Sequence, residues 1–194
     1  MRIAALIGSA LLLFSLVACG GVAEPAIEPE LVPVPLKAED TPVPVSFRVP
    51  DLGIDTNLID LGRDAKTGEL ETPDVHTPMV AGWYHEGYRP GEPGPAVIAA
   101  HVDGEVNGRK GSPGLFLKLH TLKPGADIFV KRADGTEVHF KVSKVDSIPK
   151  VECCERIYQA NDKPQLRLVT CGGDFDHSAR SYKNNIVAWA DLVA

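Results

Sequence analysis

Short apolar runs alternate with turn-forming residues along the chain from Val45 onward. Apolar and polar residues alternate with a period of two over 45–49, which is typical of a half-buried strand. The run from Ala96 to Val102 is almost wholly apolar, as expected of a strand buried on both faces. Further strands are predicted at 54–61, 79–84, 127–131, 137–145, 166–171 and 185–193, and a helical turn at 115–119.

These strands predict the fold class. Asp134-Gly135 lies between two of them and is a strong hairpin signal. No segment of about ten residues has a convincing helical period, and 18 Gly and 16 Pro favour many turns. We therefore predict an all-β protein, an eight-stranded closed or nearly closed β-barrel of about 150 residues with short helical turns.

The N-terminal segment has a different pattern. Arg2 precedes an uncharged run, Ile3–Ala18, as in an export signal. The run is shorter than the roughly 20 residues that a membrane-spanning helix needs. Leu16-Val17-Ala18-Cys19 also resembles a bacterial lipoprotein box, in which the cysteine is lipidated. We expect 1–19 to be a signal peptide with lipidation at Cys19, or a membrane anchor, and the protein to be extracytoplasmic and attached to the cell membrane.

A proline-rich linker is predicted over residues 20–44, because prolines alternate there with small and acidic residues and no apolar period is present. The globular domain is then 45–194.

Composition limits the kinds of function that the domain can have. The chain has 20 Lys+Arg against 26 Asp+Glu, and the net charge of −6 argues against nucleic acid as the main partner. Apolar residues at 44% and charged residues at 24% exclude a wholly disordered chain and a multi-span membrane protein.

The chain has four cysteines: Cys19, the adjacent pair Cys153-Cys154, and Cys171. Adjacent cysteines seldom pair with each other, so one of the pair could instead form a structural disulfide with Cys171. The spacings of a redox CxxC motif, a zinc site and a phosphate-binding loop are missing. We predict no metal and no cofactor. The acidic residues from Asp51 to Asp74 are expected in solvated loops, with calcium binding as the alternative.

Cys171 ends an alternating strand and is followed by Gly172-Gly173. Such a turn lets a substrate backbone approach the thiol and can offer N–H donors. A thiol nucleophile is activated by an imidazole or a guanidinium, and two candidates are His101, after the buried run, and Arg180, in the loop beyond Cys171. His85, His120, His139 and His177 are expected on turns or strand faces. His76 is a weaker candidate for lining a substrate groove.

Together these residues resemble a known family. The order His101-Val102-Asp103, Leu168-Val169-Thr170-Cys171 and Arg180 is similar to that of the sortases. The flanking sequence resembles the actinobacterial class F group most closely, over about 43–193. The motifs that carry this likeness are Ala81-Gly82-Trp83-Tyr84, Pro90-Gly91-Glu92-Pro93-Gly94-Pro95-Ala96, Cys171-Gly172-Gly173-Asp174-Phe175-Asp176 and Arg180-Ser181-Tyr182-Lys183-Asn184-Asn185-Ile186-Val187.

The resemblance implies a sortase-type β-barrel and a cysteine transpeptidase of the cell surface. By similarity, Cys171 would attack an LPXTG-like sorting signal at the Thr-Gly bond and form a thioester. His101 would protonate the leaving amine, and Arg180 would hold the substrate and stabilise the oxyanion. Thr170 would help to shape the substrate pocket. The acyl group would pass to an amine, either a peptidoglycan precursor or a pilin lysine.

Several positions depart from the family pattern. Ala100 stands where the group usually has Gly, Lys183 lies closer to the last strand than Arg180, and 151–156 is unusual. Oxidation of Cys153 or Cys154 onto Cys171 would switch the enzyme off. The alternative function is a non-catalytic exported β-barrel lipoprotein that binds a wall or peptide ligand. An L,D-transpeptidase is a third possibility, but its Ser-X-Gly-Cys motif is missing.

Overall fold

The computed structural model describes residues 41–66 and 70–193, and it confirms the predicted eight-stranded closed barrel. Two further strands form a separate hairpin, and one α-helix lies outside the barrel. The elements are β1 (Pro44–Val49), β2 (Ile54–Leu61), β3 (Ala81–Tyr84), β4 (Gly94–Ala100), β5 (Asp103–Val106), β6 (Arg109–Pro113), β7 (Asp127–Arg132), β8 (Glu137–Pro149), α1 (Lys150–Tyr158), β9 (Pro164–Asp176) and β10 (Ser181–Leu192). Short 3₁₀ turns lie at Pro50–Leu52 and Leu119–Thr121.

The barrel closes in the strand order β1-β2-β3-β4-β9-β10-β8-β7. Most neighbours are antiparallel, but β2 pairs with β3, and β4 with β9, in parallel. The predicted Asp134-Gly135 turn joins β7 to β8, where Gly135 takes a left-handed φ of 86° that a residue with a side chain would rarely adopt. Local turn chemistry and strand alternation therefore account for most of the barrel.

The alternation along β9 separates two apolar clusters. Leu166 and Leu168 point into the barrel core, where Phe47 and Phe116 meet edge to face at 6.0 Å. Val169 instead belongs to a second cluster on the outer face of the sheet, beneath α1. The residues of that cluster are Tyr84, Val97, Ile148, Cys153, Ile157, Val169 and Val187. One strand thus contributes to both the interior of the barrel and the layer that supports the helix.

Helix α1 is held against this outer face by a buried arginine. Arg167, 3% exposed, donates hydrogen bonds to the carbonyls of Arg156 and Ile157 and, at 3.3 Å, to that of Gln159. These carbonyls lie at the C-terminal end of α1, where the helix itself supplies no partners. The guanidinium also lies over the ring of Trp189, 4.7 Å from its centroid, and burial lowers its pKa.

Helix α1 and the β5–β6 hairpin are not predicted by the sequence pattern. Strands β9 and β10 are longer than predicted, since β9 extends to Asp176 and β10 begins at Ser181. The predictions for the signal segment 1–19, for lipidation of Cys19 and for most of the linker fall outside the described residues. The linker's last residues pack on the domain: the carbonyl of Thr41 accepts a hydrogen bond from Arg89, and that of Val43 accepts one from the Ala133 N–H at 2.9 Å. In the described part of the chain, no helix has the length and apolar character that a membrane span requires.

Candidate active site

The parallel pairing of β4 with β9 brings His101 and Cys171 to one edge of the barrel. Ala96 pairs with Leu166 and Ala99 with Val169, so residues 70 apart in sequence lie side by side. Continuing this register past the end of β4 places His101 level with Cys171. Strand β9 continues beyond this point paired with β10 alone. The two strongest sequence candidates are therefore neighbours because of the sheet register.

Backbone contacts hold His101 at this edge. Its carbonyl accepts a hydrogen bond from the Phe116 N–H at 3.0 Å, and the carbonyl of Val102 accepts one from Gly114 at 3.0 Å. The imidazole Nε2–H donates to the carbonyl of Pro73 at 2.5 Å. His101 is half-buried, and its ring is oriented by the segment that precedes β3. A fixed imidazole with one nitrogen engaged suits proton transfer through the other.

The larger of two pockets at Cys171 lies on the outer face, beneath α1. It has a volume of about 350 Å³, and its lining is mostly apolar. The lining residues that matter here are His101, Lys150, Ile157, Thr170, Cys171 and Asn185. Ile157 and Val169 bring the outer apolar cluster into its wall. We call this space the larger pocket; its shape and lining suit an extended peptide with apolar side chains.

The smaller pocket lies on the other side of Cys171, at the end of the barrel. It has a volume of about 210 Å³, and Thr170 and Cys171 line both pockets. Its other walls come from the 3₁₀ turn region and from β10, chiefly Phe116, Leu117, His120, Tyr182 and Ile186. Cys171 is thus a thiol that two separate pockets reach.

Thr170 carries a polar atom with no partner. The residue is 4% exposed, and its hydroxyl has no hydrogen-bond partner among the described residues. An unpaired buried hydroxyl costs about 1–3 kcal/mol. Since Thr170 lines both pockets, a bound substrate would supply the missing partner. The substrate-binding role expected for Thr170 stays a prediction.

The glycine turn beyond Cys171 is required by close packing. A Cβ at Gly172 would lie 2.5 Å from Cγ1 of Ile186, and Gly173 has a left-handed φ of 73°. Side chains at these positions would disturb β10 and fill part of the smaller pocket. The predicted open approach to the thiol therefore has a structural basis.

Tyr182 joins β10 to the chain that follows His101. Its hydroxyl donates a hydrogen bond to the carboxylate of Asp103, and its ring packs edge to face on Phe175 with the centroids 5.1 Å apart. Burial, the Asp103 carboxylate and the nearby Cys171 together raise the pKa of Tyr182 to about 12. Tyr182 therefore stays protonated near neutral pH, and its hydrogen bond links β10 to the start of β5.

Arg180 is not brought together with Cys171. It lies in the exposed turn between β9 and β10, with a left-handed φ of 50°. Asp176 shapes this turn by accepting hydrogen bonds from the Ser178 hydroxyl at 2.6 Å and the Ala179 N–H at 3.1 Å, which lower the pKa of its carboxyl. Among the described residues that line either pocket, neither Arg180 nor Lys183 is present.

Two residues that the sequence analysis did not select lie close to the thiol instead. Asn185 pairs directly with Cys171 across the sheet and lines the larger pocket. Lys150, at the start of α1, lines the same pocket, and its Nζ donates to the Ser181 hydroxyl at 2.8 Å. The spacing of Asn185 from Cys171 in a hairpin could have identified it, but the hairpin's bulge at Tyr182–Asn184 shifts the register.

The remaining candidates take varied positions. His120 lies on the 3₁₀ turn, as expected of a turn residue, and lines the smaller pocket. His76 does not line either pocket, and its Nδ1 lies 3.3 Å from the Glu105 carbonyl.

Cys171 carries a free thiol, so the structural disulfide is not formed. Cys153 lines the larger pocket and donates to the Lys150 carbonyl at 3.1 Å, while the side chain of Cys154 lies outside the described part.

Within 41–66 and 70–193, no three His, Cys, Asp or Glu side chains cluster closely enough to hold a metal ion. The acidic residues from Asp51 to Asp74 include Asp64 and Asp74, whose carboxylates accept backbone N–H groups two residues on. These are local turn contacts.

Comparison with known proteins agrees with the fold. The Sortase domain family matches residues 47–193. Solved structures share the fold at low sequence identity. The sortase D5 transpeptidase of Clostridium perfringens matches with a TM-score of 0.55 and 16% identity over 78% of this chain and 79% of that one, and sortase C1 of Streptococcus agalactiae with a TM-score of 0.56 and 15% identity over 77% of this chain and 67% of that one. Sortase A of Corynebacterium diphtheriae matches with a TM-score of 0.53 and 17% identity over 79% of this chain and 61% of that one. No curated protein sequence matches significantly.

The eight-stranded barrel, with a half-buried thiol and an imidazole at one strand edge, defines the class of protein. The family match extends over the whole barrel, from β1 to the end of β10. The chain belongs to the sortase family. It is a sortase transpeptidase, and the binding-lipoprotein alternative is not favoured.

Proposed function

We propose that this sortase cleaves an LPXTG-like sorting signal at the Thr-Gly bond through a Cys171 thioester and transfers the peptide to an amine. The observation that carries the proposal is the β4–β9 register, which sets His101 level with Cys171 at the mouth of the larger pocket. The Cys171-Gly172-Gly173-Asp174-Phe175-Asp176 motif supports placing the chain in the class F group.

The acylation step uses Cys171 and His101 as a pair. The Cys171 thiolate attacks the threonine carbonyl carbon and forms a C–S bond. The C–N bond to glycine then breaks, and the imidazolium of His101 gives its proton to the leaving amine. The peptide remains as a thioester on Cys171 and His101 is left neutral, so charge and protons balance.

The larger pocket is the proposed site for the sorting signal. Its apolar wall, which includes Ile157 and Val169, suits the leucine and proline of such a signal. The unpaired Thr170 hydroxyl would bond the backbone of the bound peptide. Binding would therefore satisfy a buried polar group that is unpaired in the empty pocket.

Two residues share the roles that the resemblance assigned to Arg180. Asn185 lies across from Cys171 in the larger pocket, and its amide would donate a hydrogen bond to the oxyanion. Arg180, on the exposed hairpin turn, would hold the part of the substrate that extends beyond the pocket. This division follows the positions of the two side chains.

The proposed partners and location follow from the family. The donors are LPXTG-type surface proteins, and the acceptor is a peptidoglycan precursor or a pilin lysine. The place of action is the outer side of the cell membrane, to which the segment 1–19 would attach the chain, by a lipid on Cys19 or by a signal anchor. The linker then sets the barrel at a distance from the lipid surface.

The test is intact-mass analysis of the full chain in mild detergent with an LPXTG-type peptide, with and without an amine. Wild type is expected to gain the mass of the acyl fragment and to release a glycine-containing peptide. Cys171→Ala should do neither, whereas Ser143→Ala, an exposed change on β8, should behave as wild type. An adduct on Cys171→Ala, or none on folded and reduced wild type across a panel of sorting peptides, would refute the proposal.

A further inference from the structure

The smaller pocket reaches Cys171 from a different face of β9 than the larger pocket does. Val169 and Ile157 of the outer cluster line the larger pocket, whereas the smaller pocket is lined by Phe116 of the barrel core and Ile186, which packs against that core. A peptide bound under α1 and joined to Cys171 would leave this second approach to the thioester open. The smaller pocket is therefore available to a second reactant.

The walls of the smaller pocket suit an aliphatic chain. Phe116, Leu117 and Ile186 are apolar, and Gly172 and Gly173 contribute no side chain to its floor. Leu117 is 40% exposed at this pocket, although it is a large apolar residue. The methylene stem of a lysine side chain packs well on such a surface, with its amine at the far end.

The polar groups of the smaller pocket identify a proton acceptor. Among the described residues that line it, His120, Tyr182 and Cys171 are the ionisable ones. Tyr182 donates to Asp103, and its pKa of about 12 keeps it protonated. Cys171 is occupied by the acyl group at this stage. His120 is the remaining group that can take a proton from an incoming ammonium.

We propose that the smaller pocket is the subsite for the second substrate, a primary amine on an aliphatic stem of the lysine side-chain type, with His120 as its proton acceptor. This inference depends on the proposed function, because it needs a thioester on Cys171. It assigns the two reactants to opposite sides of one thiol. It also selects the pilin-lysine kind of acceptor over the α-amine of a glycine.

The transfer step balances as follows. The ammonium gives one proton to His120 and becomes a free amine. Its nitrogen bonds to the thioester carbonyl carbon, the C–S bond breaks, and the electron pair leaves with sulfur as the Cys171 thiolate. The second proton lost by the nitrogen goes to His101, which restores the thiolate–imidazolium pair.

The experiment measures how the thioester partitions between amine and water. The full chain in detergent is given an LPXTG-type peptide with either Nα-acetyl-lysine amide or glycinamide, and ligated, hydrolysed and released peptides are quantified by mass spectrometry. Leu117→Trp fills the pocket, and His120→Gln removes the proton acceptor. Matched controls are Val106→Trp, at an apolar site 39% exposed, and His85→Gln, an exposed histidine, both outside the two pockets.

Wild type is expected to ligate the lysine amide at lower concentration than glycinamide. Leu117→Trp and His120→Gln should each lower the ligation-to-hydrolysis ratio about tenfold, while both controls keep the wild-type ratio. An unchanged ratio in the two pocket variants, or better capture of glycinamide by wild type, would overturn the inference. Failure of the proposed function would look different, because wild type would then release no glycine-containing peptide even without amine.

Discussion

The larger and smaller pockets meet at Cys171 but are built in different ways. The larger pocket lies between the sheet and α1, and its wall depends on a helix attached from outside the barrel. The smaller pocket lies at the end of the barrel, where the loop carrying Phe116 packs into the core. The Cys171 thiol is thus open to two pockets, one with a wall formed by a helix outside the barrel and one with walls formed by residues of the barrel core.

The two pockets also differ in their polar groups. His101, Asn185 and Lys150 line the larger pocket, and His120 and Tyr182 line the smaller one. Each pocket therefore has its own imidazole beside the shared thiol. In the proposed reaction, the two imidazoles would serve the two proton transfers, one to the leaving amine and one from the attacking amine. Substitutions confined to one pocket should separate the two half-reactions.

The largest effect is expected for His101→Gln. Loss of the general acid should lower peptide cleavage by about a thousandfold. The unfolding midpoint should change little, because the backbone contact to Phe116 is kept and the glutamine amide can donate to the Pro73 carbonyl in place of the imidazole. The measurement is the rate of release of the glycine-containing fragment. A thioester donor, whose leaving thiolate needs no proton, should recover much of the rate. His76→Gln is the matched control, and equal loss with both donors would exclude a general-acid role.

Asn185→Ala should lower kcat by about a hundredfold with a smaller change in KM, because an oxyanion donor acts mainly in the transition state. Steady-state kinetics of peptide release provide the measurement. The adjacent Asn184 is the matched control, since its amide donates to Ser147 at 2.8 Å and it does not line either pocket. An effect on KM alone would remove Asn185 from oxyanion stabilisation.

Arg167→Met should loosen α1 and so weaken peptide binding in the larger pocket. The carbonyls at the C-terminal end of the helix lose their donor, which should lower the free energy of unfolding by about 2 kcal/mol. Urea denaturation checks this value, and peptide KM should rise while the ligation-to-hydrolysis ratio stays constant. Arg156→Met, an exposed arginine on α1, is the control. A changed ratio would mean that α1 also shapes the smaller pocket.

Arg180→Met should raise the peptide KM by about tenfold with kcat nearly constant, as for the loss of one charge-assisted hydrogen bond. Lys183→Met removes another exposed cation from the same hairpin and should have less effect. Kinetics with short and long sorting peptides would test the assignment, since a short peptide should not reach the turn. A large fall in kcat would instead place Arg180 at the reacting carbonyl.

The smallest effect concerns the hydrogen bond from Tyr182 on β10 to Asp103. Because the pKa of Tyr182 is raised to about 12, its hydroxyl stays protonated in the fold while an unfolded tyrosine ionises near its ordinary value of 10.0. The stabilisation is therefore complete below pH 10 and is lost as the pH rises toward 12. Ultraviolet titration should show a tyrosine that ionises near pH 12 and that is missing in Tyr182→Phe but present in Tyr88→Phe.

Much of the barrel could be predicted because its signals are local. Alternation, the buried run and the Asp134-Gly135 turn identified eight strands that the structure confirms. Helix α1 was missed because its nine residues, Lys150–Tyr158, bury only one short face, and the helix is held by Arg167, which lies outside it on β9. The β5–β6 hairpin has few apolar residues, so periodicity could not reveal it.

The site was predictable in its residue types but not in its arrangement. His101 and Cys171 were selected by their strand-end positions and by resemblance, and the parallel register supplies the physical reason for their proximity. Arg180 was selected as a guanidinium in the loop after Cys171 and by resemblance, but the hairpin extends five residues beyond Cys171, to Asp176, before it turns. The turn that carries Arg180 therefore lies past the pockets. The signal for Asn185, its spacing from Cys171 in the hairpin, is obscured by the bulge at Tyr182–Asn184, and His120 had no local signal because loop packing brings it to the thiol.

The amino-acid sequence by itself determined the strand pattern, the net charge of −6 and the family to which the chain belongs. These properties follow from neighbouring residues, through backbone preferences, side-chain alternation and net charge. The tertiary structure decided that Cys171 lies between two pockets and which side chains line each of them. That outcome depends on register and packing between segments as much as 70 residues apart in sequence, and contacts over such distances have no signature in local sequence.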